Sequence, residues 1–232
     1  MFKCIAVSTV VLTLAACAAH QGRPAGQPVP EASPWPAVLR VPGKTYGINQ
    51  EQSELRVLVY RAGALARLGH NHVMVNRSLH GAAKVAGSAS GFWMTVPARS
   101  FVVDDLQARR EEGADFAADV PDDAKAGTLE HMLSAAVLDA GEFPDIAVSG
   151  IAGPADGRPM TATVTVRIAG HESSVVAPFT LDVGSGRLTA AGSLELRQSA
   201  LGLTPYSLML GALQVQDALT VKFKIVADSE GT

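Results

Sequence analysis

The stretch Ala162-Thr163-Val164-Thr165-Val166-Arg167-Ile168 alternates strictly between apolar and polar side chains. Because successive side chains of a β-strand point to opposite faces, this pattern predicts a strand with one face on a core and the other in solvent. The stretch from Leu219 to Ile225 has the same alternation, with threonine and lysine on its polar face. Two such strands indicate a sheet that is buried on one side.

Six other segments have the alternation or composition of strands, and glycine-rich turns separate most of them. They lie at 55–59, 73–85, 91–103, 145–152, 173–183 and 188–196. About eight strands joined mainly by short turns predict a mainly β protein, either an antiparallel barrel or a sandwich. The longest interruption contains Asp122 to Leu138, whose leucines and methionine recur at helical spacing, so we expect one inserted helix lying as a flap on the sheet.

The amino terminus is typical of an exported bacterial lipoprotein. Lys3 precedes an uncharged run of 11 residues, which is too short for a bilayer-spanning helix of about 20 residues. Leu14-Ala15-Ala16-Cys17 then resembles a lipobox, which implies a cleaved signal peptide at 1–16 and a diacylglyceryl group on Cys17. Because Ala18 rather than aspartate follows, we expect an anchored protein facing the periplasm, in the outer membrane rather than the inner one.

The segment at 17–44 is rich in proline and has no hydrophobic period, so it is predicted to be a semi-rigid tether. A single domain at 45–227 and a short tail at 228–232 complete the organisation. The net charge is −3 and no basic run occurs, so nucleic acid is not an expected partner. The only cysteines are Cys4 and Cys17, so the domain has no disulfide.

Several local motifs follow one another in the order found in the YceI-like family. They are Tyr46-Gly47-Ile48-Asn49 with Ser53 to Val57, Phe101-Val102-Val103-Asp104, Met132-Leu133-Ser134 leading to Phe143-Pro144-Asp145-Ile146, Leu196 to Leu203, and Val215 to Val226. Together they cover about residues 45–227, and over that range the chain resembles a YceI-like protein. One departure is Ala136-Val137-Leu138-Asp139, where family members usually carry aromatic residues.

The resemblance implies a lipocalin-like eight-stranded antiparallel β-barrel whose long apolar lumen holds a polyisoprenoid chain, and it raises the expectation of homodimers. Inward faces rich in small apolar residues are compatible with an open lumen, but the same residues could also pack into a closed barrel. Candidate lumen-lining residues are Val57, Val59, Val164, Val166, Leu194, Val221 and Phe223. A closed, purely structural lipoprotein is therefore an alternative to a lipid-binding one.

Gly69-His70-Asn71-His72 is the most chemically suggestive stretch of the sequence. On a strand, His70 and His72 would share one face, about 6–7 Å apart. Three interpretations stay open: a structural role, hydrogen bonds to a ligand headgroup such as a quinone carbonyl or a phosphate, or a shared metal ion. His80, His131, His171, Asp104 and Asp105 are the residues that could complete a metal site in a metal- or redox-linked protein.

No catalytic constellation is evident, so we expect a binding protein rather than an enzyme. The neighbouring acids Asp104 and Asp105 would face apart in a strand, which makes them poor acid–base partners. The charge run Arg109-Arg110-Glu111-Glu112 is typical of a solvated loop or of a helix start.

Overall fold

The computed structural model describes residues 42–87, 89–153 and 160–229 of the chain. The predicted signal peptide, Cys17 and nearly all of the tether lie outside the described residues. Twelve strands lie within the described ranges: β1 (Lys44–Ile48), β2 (Glu54–Ala62), β3 (His72–Asn76), β4 (His80–Ala86), β5 (Ala89–Pro97), β6 (Val102–Val103), β7 (Asp145–Ala152), β8 (Met160–Ile168), β9 (His171–Val183), β10 (Arg187–Arg197), β11 (Ser207–Leu208) and β12 (Leu213–Ser229). Two α-helices, α1 (Leu106–Glu111) and α2 (Asp122–Leu133), accompany them.

Eight strands form a closed antiparallel ring in the order β1-β4-β5-β7-β8-β9-β10-β12, and β12 returns to pair with β1. The closing register places Tyr46 opposite Ser229 and Ile48 opposite Ala227. Closure satisfies the backbone groups that an open sheet would leave unpaired at its edges. The structure therefore confirms the predicted mainly β, lipocalin-like barrel.

Three positions around the barrel are each occupied by two consecutive segments, namely β1 with β2, β3 with β4, and β5 with β6. Both members of the first pair lie against β12, since β2 pairs with its first half and β1 with its last residues. The sequence pattern predicts continuous strands at 73–85 and 91–103, but both are interrupted in the structure. At the break, the Asn76 amide donates to the carbonyl of Pro97, and its oxygen accepts from the amide of Ser78, so the side chain replaces ladder bonds.

Alternation along the strands separates a lumen face from an outer face, as the period-2 pattern predicts. On β12, Leu219, Val221 and Phe223 face the interior cavity, and on β8 Val164 and Val166 do so. Leu58, Val73 and Val75 instead point outward from β2 and β3, where Ala108 of α1 and Phe116 cover them in a small second cluster. The helix α1 is thus packed on the outside of the barrel.

The helix α2 lies at one end of the barrel, where Leu129 and Met132 pack against the interior cluster of Met74, Leu79 and Val96. It begins at Asp122, as predicted, but ends at Leu133 rather than at 138. The chain leaves the helix at Ser134, whose extended backbone (ψ 163°) cannot continue the helical hydrogen bonds. The short helix α1 was not predicted. No helix in the described ranges is long and apolar enough to cross a membrane.

Candidate functional site

The barrel encloses a cavity of about 590 Å³. This lies within the range of about 300–1,000 Å³ that is usual for small-molecule sites. The cavity runs from Val85 and Leu188, beside the β4–β5 and β9–β10 hairpins, to Arg61 and His70 at the opposite end. We call these the hairpin end and the helix end, since α2 lies at the latter. A closed, fully packed barrel would lack such a cavity.

The middle of the cavity is lined almost wholly by aliphatic and aromatic side chains. All seven sequence-predicted lumen residues are among them: Val57, Val59, Val164, Val166, Leu194, Val221 and Phe223. Small residues widen the space, since Ala162 and Ala177 lie directly opposite each other on β8 and β9 and both line it. The lining therefore offers apolar contact with few polar groups, which suits a hydrocarbon chain.

Ser90 lies near the hairpin end, but most polar side chains of the lining gather at the helix end. Those at the helix end are Arg61, His70, His72, Thr128, His131, Gln198, Tyr206 and Gln214. Arg61 and His131 are exposed and also line the cavity, so the cavity reaches solvent at this end. The site is thus amphiphilic, with a long apolar interior and one polar mouth.

His72 is the first residue of β3, directly opposite Val59 on β2, so its ring points inward at the mouth. Its Nδ1 lies 2.6 Å from Oδ2 of Asp104, which is only 2% exposed. The other oxygen of Asp104 accepts from the backbone N–H of Val73 at 2.9 Å and from Nη1 of Arg109 at 2.5 Å. A buried chain of hydrogen bonds therefore runs from Arg109 through Asp104 to His72.

Asp104 follows β6 with a positive φ of 58°, a conformation that aspartate tolerates better than most residues. This turn directs the Asp104 side chain toward the backbone N–H of Val73 in β3. Burial alone would raise the pKa of Asp104, but the hydrogen bonds from His72, Val73 and Arg109 outweigh it and hold the pKa below its usual value. The carboxyl group is therefore ionised at neutral pH.

The ionised carboxylate decides which nitrogen of His72 carries the proton. Since a carboxylate only accepts hydrogen bonds, the donor–acceptor pattern places the proton of neutral His72 on Nδ1, and Nε2 keeps its lone pair. The hydroxyl oxygen Oγ1 of Thr128 lies 3.5 Å from Nε2. That hydroxyl lies 2.8 Å from the carbonyl oxygen of Ala124 and donates its only hydrogen there. Nε2 is thus a hydrogen-bond acceptor presented to the cavity.

Arg109 is only 5% exposed and lies in the last turn of α1, so the expectation of a solvated loop or a helix start does not hold for this residue. Its guanidinium also donates to the carbonyls of Asn71 and Ala118, both at 2.8 Å. The Asp105 carboxylate caps α1 by accepting from the N–H of Ala108. Asp104 and Asp105 thus have separate roles, one toward His72 and one toward the helix.

Ion pairs also hold the far end of α1 on the barrel. Glu112, whose side chain is 4% exposed, pairs with Arg56 of β2 at 3.1 Å and with Lys222 of β12. Glu111 pairs with Arg56 at 2.6 Å. These contacts fix the helix that supplies Arg109, so they position the His72 network indirectly.

The remaining histidines do not converge on one point. The rings of His70 and His72 lie 6.1 Å apart, both at the mouth, and the ring of His131 lies 4.5 Å from that of Tyr206. His80 contacts Gln50. His80 and His171 are absent from the cavity lining. Within the described ranges, no group of three or more His, Cys, Asp or Glu residues could hold a metal ion.

Two residues of the mouth and of the hydrogen-bond network behind it, Thr128 and Arg109, could not be identified from the sequence. Arg109 was hidden in a charge run, because only the fold brings it under β3. Thr128 lies on the face of α2 that also carries Leu129 and Met132, and its role depends on how the helix is docked. The signals in the sequence that pointed to the network were the stretch Gly69-His70-Asn71-His72 and the acid Asp104.

A closed eight-stranded barrel around an apolar cavity with one polar mouth defines a class of small single-cavity binding proteins. The chain belongs to the YceI-like family, since the sequence profile of the YceI-like domain matches residues 46–227. No curated protein was found to match the chain in sequence.

Two solved structures share the fold at low sequence identity. Burkholderia cenocepacia BcnA superposes with a TM-score of 0.57 at 17% identity, covering 78% of this chain and 99% of that one. A polyisoprenoid binding domain from Saccharophagus degradans, implicated in plant cell wall breakdown, superposes with a TM-score of 0.53 at 11% identity, covering 80% and 98%. These likenesses establish the barrel independently of the sequence profile.

Proposed function

We propose that this protein is a binding protein that holds an amphiphilic, isoprenoid-type lipid, with the chain in the apolar cavity and the headgroup at the helix end. The observation that carries the proposal is the apolar cavity of about 590 Å³, whose polar side chains are concentrated at one mouth. Membership of the YceI-like family and the likeness to a polyisoprenoid binding domain support it. They also favour binding over catalysis.

The energetics favour a hydrocarbon chain in this lining. Each buried CH₂ contributes about 0.8 kcal/mol before the cost of ordering the chain, so a few isoprene units give useful affinity without polar contacts. The polar mouth then selects the headgroup. Because Nε2 of neutral His72 accepts hydrogen bonds, and the nearby Thr128 hydroxyl donates to Ala124 instead, a headgroup hydroxyl fits it better than a carbonyl, which would also be an acceptor.

The ligand is tested by extracting it from the purified protein. The full chain, produced in a bacterium that exports it, is purified without detergent exchange, extracted with organic solvent and examined by mass spectrometry. We expect an isoprenoid lipid in near-stoichiometric amount. A chain that repeatedly carries no lipid, and that takes up no added polyprenol, would refute the proposal.

We further propose that the protein is exported and anchored through a diacylglyceryl group on Cys17, facing the periplasm from the outer membrane. This rests on the sequence Leu14-Ala15-Ala16-Cys17 after an apolar run. The mass of the amino-terminal peptide from membrane-extracted protein tests it, with Cys17→Ser as the control. An unmodified Cys17, or a chain that retains residues 1–16 in the membrane fraction, would contradict it.

A metal- or redox-linked role has no supporting ligand set in the described part of the chain. Homodimer formation stays a prediction of the family resemblance, and sedimentation of the purified chain measures it.

A further inference from the structure

Four large apolar side chains are exposed in two segments at the helix end. Leu208, Met209 and Leu210 form the turn before β12, and Leu68 closes the short 3₁₀ helix at Ala66–Leu68. We call these four residues the apolar tip. Leu210 is fully exposed, so burial in the protein does not explain its side chain.

The two segments lie against each other. The N–H of Leu65 donates to the carbonyl of Ala212 at 2.7 Å. At Gly63, a side chain would meet the carbonyl oxygens of Gly211 and Ala212 at 2.6 and 2.5 Å, so only glycine permits this approach. The apolar tip is therefore one continuous projection rather than two separate loops.

The backbone of the apolar tip is strained where it presents Leu210 to solvent. Met209 and Leu210 both have positive φ, 50° and 56°, a region that bulky residues rarely occupy. Strain of this kind persists where it serves a function. A glycine at 210 would adopt the same backbone freely, yet the chain carries leucine.

The two segments that form the apolar tip carry charge of one sign only. The segments 61–70 and 204–214 contain Arg61 and Arg67 and no acidic residue, although the whole chain is negative by 3. An apolar projection whose own two segments carry basic residues and no acid matches the interface of an anionic bilayer. It also adjoins the mouth, since Gly69, Leu213 and Gln214 line the cavity.

We propose that the apolar tip is a membrane-docking surface that inserts into an anionic lipid bilayer and holds the mouth of the cavity against it. The inference does not depend on which ligand the cavity holds. It gives a water-insoluble ligand a path between bilayer and cavity that avoids bulk water.

The test measures insertion depth at one point of the tip and at a matched point elsewhere. Leu68 and Val176 are almost equally exposed, at 66% and 64%, but Val176 lies on the outer face of β9. The full chain carrying Leu68→Trp or Val176→Trp is reconstituted with vesicles of phosphatidylcholine and phosphatidylglycerol whose acyl chains are brominated. We expect quenching of tryptophan fluorescence for Leu68→Trp well beyond that for Val176→Trp, and less quenching when phosphatidylglycerol is omitted.

A second variant separates docking from folding. Adding Leu210→Gly to Leu68→Trp should weaken docking by about tenfold to a hundredfold, the effect of withdrawing one leucine from hydrocarbon. Its thermal stability should be equal or higher, because glycine relieves the positive φ. Equal quenching at the two reporter positions would overturn the proposal, as would quenching that Leu210→Gly leaves unchanged. A concentration-dependent blue shift of Leu68→Trp without vesicles would instead assign the tip to a second copy of this chain.

Discussion

Asp104→Asn should strongly destabilise the protein, although the substitution only replaces one carboxylate oxygen with an NH₂ group. It removes the buried negative charge that lies between Arg109 and His72. Arg109 would then stay 5% exposed without a counter-charge. Removing one partner of a buried ion pair usually costs about 3–5 kcal/mol.

We expect the lower end of that range, about 3 kcal/mol, because Arg109 keeps its hydrogen bonds to the carbonyls of Asn71 and Ala118. Urea unfolding followed by circular dichroism measures it. With a denaturant slope of about 2 kcal/mol per molar, the midpoint should fall by about 1.5 M.

Asp105→Asn is the matched control, since asparagine also caps a helix and the charge at 105 is not buried between partners. It should change the free energy of unfolding by less than about 0.5 kcal/mol. A double-mutant cycle with Arg109→Met completes the design, because removing both charges should cost less than the sum of the single variants by about 2 kcal/mol. If Asp104→Asn is no worse than Asp105→Asn, or if the cycle is additive, the network does not stabilise the barrel as argued.

Three further predictions concern pH, the cavity and the headgroup. Because the pKa of Asp104 is lowered on folding, its stabilisation is complete above its ordinary value of about 3.9 and is lost as the pH falls below that. Unfolding midpoints at several acidic pH values should therefore fall more steeply for the natural chain than for Asp104→Asn, and parallel slopes would contradict this. Ala177→Phe should fill the cavity and lower the affinity for a polyprenol by about tenfold or more. Val176→Phe, on the outer face, should leave the affinity unchanged. Titration with a fluorescent prenol measures both affinities. His72→Phe should weaken the binding of a polyprenol by about threefold to tenfold more than the binding of its methyl ether, since only the alcohol can donate to Nε2. An equal loss of affinity for the two ligands would reject the hydroxyl assignment.

The barrel could be predicted from the sequence because its strands alternate so regularly. The apolar residues identify the inward face in the two stretches Ala162 to Ile168 and Leu219 to Ile225. Every predicted lumen residue lines the cavity. The interrupted strands could not be predicted in the same way. The break after β3 depends on the side chain of Asn76 reaching the carbonyl of Pro97, which is a contact between distant parts of the chain.

The mouth was harder to predict because its key groups come from separate elements. His72 is visible in a suggestive local motif, but Asp104 lies 32 positions away and Arg109 looks like part of a solvated charge run. Only the packing of α1 on the outward face of β3 buries Arg109 beside Asp104. Local sequence carries no signal for that packing.

The pairing of the first strand with the last has a consequence for when the cavity can form. Asn49 and Asp228, which share a hydrogen bond at the closing seam, are 179 positions apart in the sequence. Contacts of such long range form slowly, because a large loop must be ordered before they contribute. A nascent chain cannot complete the ring until its final strand has left the ribosome. The ring, and with it the cavity, would thus stay open until the synthesis of β12 is complete, and such late closure would suit the export proposed above.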